Sequence, residues 1–208
     1  MNLNPAEERR NKWKVLMKEA LHQAVVKVLA EDGLSGLTMD RITQMAGMSK
    51  GTLYNYFKDK QELLEYVVQS SLEPLEQGID RILDSDLPPE QKLEQVVLHS
   101  MNYFEEHRDF FRIFQDPDLH QPKPKLDKER KSRHRKLVQR VSVVFEEGIR
   151  SGVFRPFPPL KLAAMFVMSV IAMNMGRIWT EERSPIEEEA RMVTEVFFRG
   201  ITVGGKKS

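Results

Sequence analysis

Cysteine is absent from the 208-residue sequence. Without thiols the chain can form no disulfide framework, no thiolate zinc or iron–sulfur site and no cysteine nucleophile. A chain of this kind is suited to a reducing compartment. We therefore expect a cytoplasmic protein.

Long apolar runs are missing as well. The most apolar stretch, Leu162 to Met173, is interrupted by Ser169 and falls short of the roughly 20 residues that span a bilayer. Charged side chains are scattered through residues 1–20, so these residues contain no continuous apolar segment of a secretory signal. We expect no membrane as a partner and interpret the apolar stretch as a buried helix.

The charge balance has no dominant sign. Thirty-two Lys and Arg residues stand against 31 Asp and Glu residues, so the formal net charge of +1 indicates no particular partner. Hydrophobic residues make up 40% of the sequence and charged residues 30%, which differs from the apolar-poor composition of a disordered chain. The composition predicts a folded protein with a real core.

Sustained alternation of apolar and polar residues, which is typical of strands, is also missing. Helical periodicity instead runs almost throughout the chain, so we predict an all-helical fold. The helices are expected at 12–31, 38–47, 50–57, from 59 onward, and at 89–106, 109–115, 125–151, 159–181 and 185–201.

Residues 38–57 have the pattern of a helix–turn–helix. Thr38 can cap the first helix of the motif, Gly47 can adopt the positive φ of a tight turn, and Ser49 can cap the second helix. Ala46 is small where two helices cross closely. Four apolar residues can share a core beneath the motif: Ile42, Met48, Leu53 and Phe57.

The second helix of this motif offers groups that suit duplex DNA. Gly51 has no side chain, so the backbone can come close to the floor of a groove. Donors and acceptors for base edges come from Lys50, Thr52 and Asn55, and groups for phosphates come from Tyr54, Tyr56 and Lys60. With the two caps, the predicted DNA-binding residues are Thr38, Ser49, Lys50, Gly51, Thr52, Tyr54, Asn55, Tyr56 and Lys60.

At these residues the chain resembles the N-terminal DNA-binding domain of the TetR family of transcriptional regulators. The resemblance covers roughly residues 16–65, and beyond them only the helical layout is similar. Thr43 stands where the family more often has alanine, and Met48 where it often has valine. The residues in the family's order and spacing are Gly33, Thr38, Ile42, Ala46, Gly47, Ser49, Gly51, Thr52, Leu53, Tyr54, Tyr56, Phe57, Lys60 and Leu64.

The resemblance implies a three-helix DNA-binding domain at residues 1–60 and a helical ligand-binding and dimerisation domain at 61–208. It also implies a homodimeric repressor that leaves a palindromic double-stranded DNA operator when a small-molecule effector enters the C-terminal domain. The helices at 159–181 and 185–201 are similar to the pair that forms the family's dimer interface. The candidates there are Ile171, Ile178, Val193, Val196 and Phe197.

The C-terminal segments are rich in methionine and aromatic residues. Such residues are most often core packing, but methionine adapts to irregular shapes, so this interior also suits a largely apolar ligand. His99 and Asn174 could orient a polar group of that ligand. The candidate ligand-binding residues are Tyr66, His99, Met101, Phe104, Phe111, Phe114, Met168 and Asn174.

Two basic segments each have two interpretations. One contains Arg9, Arg10, Lys12 and Lys14, and is either a solvated end or an arm that reaches a neighbouring minor groove. The other extends from Lys128 to Lys136 near the start of a helix. It is either a solvated face or a contact for the anionic head group of a ligand.

Several features of the sequence allow functions other than a repressor. Residues 38–57 could be a plain αα-hairpin within a helical bundle, but such a hairpin does not explain Gly51. The alternative from another functional class is a helical ligand-binding or adaptor protein that has lost DNA binding. Residues 47–51 match the G-x-S-x-G nucleophile elbow, but that elbow requires a preceding strand. The five histidines show neither i, i+4 pairing nor the H-E-x-x-H motif, although His99 and His107 could belong to a metal cluster. We expect no enzyme, no cofactor and no metal site.

Overall fold

The computed structural model describes residues 5–114, 124–181 and 183–202, with side chains other than those at 5–15, 18, 34, 113, 114 and 124–130. Every regular element in these ranges is an α-helix, so the all-helical prediction is confirmed. The helices are α1 (Pro5–Gly36), α2 (Met39–Ala46), α3 (Lys50–Tyr54), α4 (Lys60–Leu83), α5 (Pro89–Glu106), α6 (Arg108–Phe114), α7 (Pro124–Arg150), α8 (Pro159–Trp179) and α9 (Ile186–Ile201).

Local backbone geometry sets two helix ends that differ from expectation. Regular helix in α1 breaks at Gly33, which has a φ of 63° and a ψ of −165°, before a last turn that the sequence did not predict. α3 ends at Tyr54 rather than at Phe57. The amides of Tyr56 and Phe57 both donate to the carbonyl of Leu53, each over 3.0 Å, and this shared acceptor closes the helix early.

A capping box begins α4. Asp59 Oδ1 accepts a hydrogen bond from the backbone amide of Glu62 over 2.8 Å, and Glu62 Oε2 accepts one from the amide of Lys58 over 2.8 Å. Together they satisfy two amides that lack helical partners at the start of the helix. The direction of the chain after the helix–turn–helix is therefore set locally.

The chain forms two compact units. The first ends at Glu73 within α4 and includes the end of α6, and the second begins at Pro74 and contains α5, α7, α8 and α9. The functional division at residues 60 and 61 stays a prediction. Side chains from α1 to α4 that are fully buried in the first unit are Leu21, Val25, Val28, Ile42, Leu53, Leu63 and Val67.

Four phenylalanine rings lie at the centre of the second unit. Phe145 on α7 lies 5.6 Å from Phe154 and 6.0 Å from Phe166 on α8, measured between ring centroids. Phe197 on α9 lies 5.4 Å from Phe166. Because each ring comes from a different element, this cluster joins α7, α8 and α9.

Gly148 allows the ring of Phe154 to lie directly against α7. A Cβ at position 148 would lie 2.1 Å from Cδ2 of Phe154, a buried ring with no free space to enter. We expect Gly148→Ala to lower the free energy of unfolding by about 1–3 kcal/mol because the core becomes overpacked. Gly200→Ala is the matched control, since a Cβ there meets nothing within 4 Å and alanine favours a helix by up to about 1 kcal/mol. Urea unfolding measures both, and equal stabilities would contradict this packing.

An ion-pair ladder joins the second half of α4 to α7. Its shortest contacts connect Arg140 to Asp84 over 2.9 Å and to Asp80 over 3.1 Å. Arg133 and Lys136, which belong to the basic segment, pair with Glu76 and Asp80. Part of the basic segment is thus a partner of α4, an arrangement that neither sequence interpretation contained.

By length and composition alone, α8 is the one helix among the described residues that could cross a bilayer. One side of it packs in the second unit against α5 and α7, and the other side is exposed. Its buried residues are Leu162, Ala163, Phe166, Val167, Val170, Asn174, Arg177 and Ile178. The apolar stretch therefore belongs to a core helix with one exposed side.

Candidate nucleic-acid interface

The turn between α2 and α3 has the predicted geometry. Thr38 Oγ1 accepts a hydrogen bond from the amide of Arg41 over 3.2 Å and caps α2. Gly47 ends α2 with a φ of 64° and a ψ of 30°, the left-handed conformation that favours glycine. The amide of Met48 then donates to the carbonyl of Thr43 over 3.0 Å. Both signals read from the sequence are confirmed.

Ser49 begins α3. Its Oγ accepts a hydrogen bond from the amide of Thr52 over 3.1 Å and lies 2.8 Å from Thr52 Oγ1. Leu53 and Phe57 are buried in the first unit and hold the other side of this segment. The opposite side of α3 is consequently presented to solvent.

The predicted DNA-binding residues lie in and around α3, and almost all of them are exposed. The rings of Tyr54 and Tyr56 are large apolar groups left 51% and 45% exposed, and Thr52 is half-buried. The other members are exposed at the start of α2, in the turn, on α3 or at the start of α4: Thr38, Ser49, Lys50, Gly51, Asn55 and Lys60.

Gly51 is not required by the packing of the chain. It is not among the glycines with positive φ, and a Cβ there would meet only Ser49 Oγ at 3.9 Å. Glycine in a helix interior costs roughly 1 kcal/mol relative to alanine, which is an upper bound for Gly51 in the first turn of α3. The described fold supplies no reason for this cost, whereas a partner that approaches the backbone closely would supply one.

Lys50 has an acidic partner that the sequence reading missed. Its Nζ lies 2.6 Å from Asp40 Oδ2, and both side chains are more than 60% exposed. An exposed pair of this kind contributes at most about 1 kcal/mol, so a phosphate or a base edge can replace the carboxylate. The two residues are ten positions apart, a spacing that only the fold of α2 against α3 makes close.

Arg41 fixes the position of α2 against α1. Its guanidinium lies 2.7 Å from Asp32 Oδ2 and 3.0 Å from Glu31 Oε2. The hydrogen bond to Asp32 is the main reason that the pKa of Arg41 is raised. The side chain of Arg41 is therefore paired with carboxylates of its own unit.

Two alternative interpretations of the N-terminal region remain: a nucleophile elbow at residues 47–51 and a basic arm that reaches a minor groove. Residues 47–51 follow α2 and lead into α3, so the strand that a nucleophile elbow requires does not precede them. The side chains of the basic arm, Arg9, Arg10, Lys12 and Lys14, lie outside the described side chains, and both interpretations of them stay open.

Three candidate ligand-binding residues are brought together in the second unit. Met101 and Asn174 are buried, and with Phe104 and Ile178 they line a closed space. Phe111 continues this group, since its ring centroid lies 4.5 Å from that of Phe104.

The remaining candidate ligand-binding residues lie elsewhere. The ring of His99 packs on Gly78, where a Cβ would lie 2.0 Å from Nε2. Tyr66 belongs to the first unit and lies 5.2 Å from the ring of Phe57. Met168 is 52% exposed on α8, so its expected place in the interior is corrected: it lies on the outer side of that helix. The side chain of Phe114 is outside the described side chains.

The candidate dimer residues fall into an exposed group and a buried group. Ile171 and Val196 are 37% and 72% exposed, and Val193 is half-buried. Ile178 is only 1% exposed and Phe197 packs between Phe145 and Phe166, so these two belong to the core of the chain rather than to a free surface. Seven large apolar residues of the two helices are exposed, and one of them, Leu160, lies at the start of α8. The other six, called the α8–α9 face below, are Met165, Met168, Ile171, Trp179, Met192 and Val196.

The sequence reading missed a buried polar cluster in the second unit. Arg177 Nη1 lies 2.7 Å from Glu189 Oε1, and its Nη2 lies 3.2 Å from Glu105 Oε2. Arg183 also binds Glu105, and Arg108 lines the closed space beside Asn174. Charged residues in amphipathic helices usually face solvent, so no signal in the sequence marked Arg177 as buried.

Comparisons with known proteins cover both units. A family model described as bacterial regulatory proteins of the tetR family matches residues 21–67, and a model of the tetracyclin repressor-like C-terminal domain matches residues 86–201. The chain is 23% identical over 172 residues to the uncharacterized HTH-type transcriptional regulator YhgD of Bacillus subtilis, covering 83% of this chain and 88% of that protein. It is 26% identical over 194 residues to the HTH-type transcriptional repressor KstR2 of Mycolicibacterium smegmatis, covering 89% and 90%.

A solved structure shares the fold. A putative fatty acid metabolism regulator from Clostridium perfringens aligns with a TM-score of 0.68 and 23% identity. The alignment covers 89% of this chain and 100% of that one.

Proposed function

Because the chain belongs to the TetR family and is therefore a DNA-binding transcriptional regulator, we propose that it is a homodimeric cytoplasmic repressor of a palindromic operator. A small, largely apolar ligand that binds the second unit releases it from the DNA. The two curated relatives named above are transcriptional regulators, and one of them is a repressor.

The unexplained glycine at position 51 carries the DNA-binding part of the proposal. It sits at the leading end of α3, where the exposed Lys50 and Asn55 and the half-buried Thr52 offer hydrogen-bonding groups. A side chain at this position would hold the backbone away from a groove floor. Contact with DNA thus gives this glycine a function, and Thr52 is the residue placed to contact a base edge.

The α8–α9 face supports the homodimer. Its six exposed apolar residues lie on two helices that pack against each other. Isologous association gives the dimer two-fold symmetry, so the operator has two-fold symmetry as well. Two copies of α3 that enter successive major grooves must lie about 34–36 Å apart.

Selection of bound duplexes from a random pool tests this function. The expected result is an enriched palindrome with two half-sites. Absence of any enriched sequence at low salt would instead favour a helical ligand-binding or adaptor protein without sequence-specific DNA binding.

Two substitutions separate phosphate contacts from base contacts. Lys60→Ala should weaken binding to all duplexes alike and reduce the slope of log K against log salt by about 1, because one phosphate contact is lost. Thr52→Ala should cost about 1–3 kcal/mol of discrimination at one or two base pairs. Titrations over several operators and salt concentrations measure both. Lys161→Ala, at an exposed position on α8, is the control, and equal losses for the Lys60 and Thr52 variants on every sequence would contradict the separation.

Ligand release sets an energetic requirement on the second unit. Reducing the DNA-binding dimers from 99% to 1% requires a ligand that prefers the released state by roughly 5.5 kcal/mol. The ligand site must therefore differ between the two states. α4 runs from the first unit into the second, where the ion-pair ladder attaches it to α7, so a change in the second unit has a covalent route to the helix–turn–helix.

A further inference from the structure

Buried polar atoms without partners collect in one place in the second unit. Among the described residues, five buried side-chain atoms have no hydrogen-bond partner, and four of them lie in the buried polar cluster or beside it. Such atoms are few in native proteins, and each is destabilising. The four atoms are Arg108 Nε, Asn174 Oδ1, Arg177 Nε and Glu189 Oε2.

The cluster also has an unbalanced charge. Arg177 and Arg183 share the carboxylates of Glu105 and Glu189. Arg108 Nη2 donates only to the carbonyl oxygens of Ile178 and Thr180, over 3.3 Å and 2.9 Å. The half-buried Arg108 therefore has no carboxylate partner among the described residues, and it is the third guanidinium beside two carboxylates. The carbonyl oxygens at the end of α8 offset the third charge only partly, because a helix C-terminus contributes about half a negative charge.

Apolar and polar groups line the same closed space. Met101 and Phe104 of α5 and Ile178 of α8 supply apolar walls, while Arg108 and Asn174 supply the polar atoms. In this conformation the space is narrower than a water molecule. Arg108 can donate through Nε, and rotation of the Asn174 amide by 180° would place its NH₂ group where the unpaired Oδ1 now lies.

We propose that this space is the binding site for the carboxylate of an apolar monocarboxylic acid. Arg108 Nε and the amide of Asn174 bind the carboxylate, and Met101, Phe104 and Ile178 contact the adjoining hydrocarbon. One excess positive charge matches a monoanion, whereas a dianionic phosphate would leave a negative charge beside Glu105 and Glu189. The inference rests on the proposed ligand-dependent release and names the chemical class of its ligand.

Closure of the space links binding to a structural change. The acid enters only when α5, α6 and α8 separate, so a state with separated helices binds it more tightly than the closed state. Such differential affinity is what a ligand needs in order to shift the population of a regulator.

Asn174→Leu gives the first test, in the full-length protein. Leucine has a similar shape and removes an unpartnered buried polar group, so the melting temperature without ligand should rise by about 2–4 °C. The same variant should bind octanoate about 10-fold more weakly. A variant that melts at a lower temperature, or binds octanoate with unchanged affinity, would overturn the assignment of Asn174.

Calorimetric titration with octanoate, octan-1-ol and methyl octanoate gives the second test. Octanoate should bind at least about 10-fold more tightly than either neutral analogue, and Arg108→Met should remove that difference because a charge-assisted hydrogen bond is lost. Arg108→Lys should keep part of it, and Arg150→Met, at an exposed position on α7 outside the basic segment, should keep all of it. If Arg108 only caps α8, Arg108→Met will lower the melting temperature without changing octanoate affinity.

The outcomes distinguish this inference from the proposed function. A selected palindrome together with no binding of any linear acid from six to twelve carbons overturns the carboxylate site alone. Octanoate binding through Arg108 without release of a selected operator supports the site and contradicts ligand-dependent repression.

Discussion

Arg177→Met is expected to lower the free energy of unfolding by about 3–5 kcal/mol at pH 7, because it leaves the largely buried carboxylate of Glu189 without its cation. The Arg177 side chain is 9% exposed, and those of Glu189 and Glu105 are 14% and 31% exposed. Glu189 loses its 2.7 Å partner entirely among the described residues, while Glu105 keeps Arg183. Urea unfolding measures the change, and Arg191→Met, at an exposed position on α9, is the control.

The loss should depend on pH. Desolvation raises the pKa of Glu105, but hydrogen bonds from Arg183 and Arg177 outweigh it, and the pKa lies below its ordinary value of 4.5. A depressed carboxylate pKa stabilises the fold above the unfolded value and loses that effect as pH falls through the folded value. The difference between wild type and Arg177→Met should therefore shrink below about pH 4.5.

A double variant checks the cause. Arg177→Met combined with Glu189→Gln should recover part of the stability at pH 7, because the buried charge left behind is removed. A loss under about 1 kcal/mol for the single variant, or one that stays constant from pH 7 to pH 4, would show that the cluster does not hold charged carboxylates in place.

Charge on the α8–α9 face is expected to abolish the dimer and most of the DNA affinity. Ile171→Arg combined with Val196→Arg places two cations on apolar surface that the proposed association buries, and unpaired buried charge is strongly unfavourable. A monomer contacts one half-site at a time, so operator affinity should fall by about 100-fold or more as avidity is lost. Light scattering measures the mass, and titration measures the affinity.

Val143→Arg is the matched control for this face, since Val143 is 50% exposed on α7 and lies outside it. Its mass and affinity should match those of the wild type. A double variant that stays dimeric with unchanged operator affinity would remove the α8–α9 face from the dimer.

Predictions from local sequence agreed closely with the fold. α5 extends from Pro89 to Glu106 as predicted, and α2 has the cap at Thr38 and the left-handed turn at Gly47. Such features depend on residues within one or two helical turns, so a single sequence contains the information they need. The early end of α3 differed because the shared acceptor at Leu53 depends on the path of the chain after the helix.

Predictions that required knowing which side of a helix is buried were less accurate. Met168 and Ile178 are both apolar residues of α8, yet one is exposed and the other is in the core. α8 is apolar on nearly all sides, so periodicity did not separate them. Their positions depend on the packing of α8 against α5 and α7, which are distant in the sequence.

The sequence by itself determined that this chain is all-helical, that residues 38–57 form a helix–turn–helix, and that the chain resembles the TetR family. The first two properties follow from caps, glycine conformation and periodicity, which act over short stretches of chain, and the resemblance rests on the order and spacing of the motif residues. Only the tertiary structure decided which charges are buried and which apolar residues remain exposed, as in Arg108 beside Asn174 and in the α8–α9 face. The physical reason is that burial depends on neighbours from other helices, and the energy of a charge depends on the groups that the fold places around it.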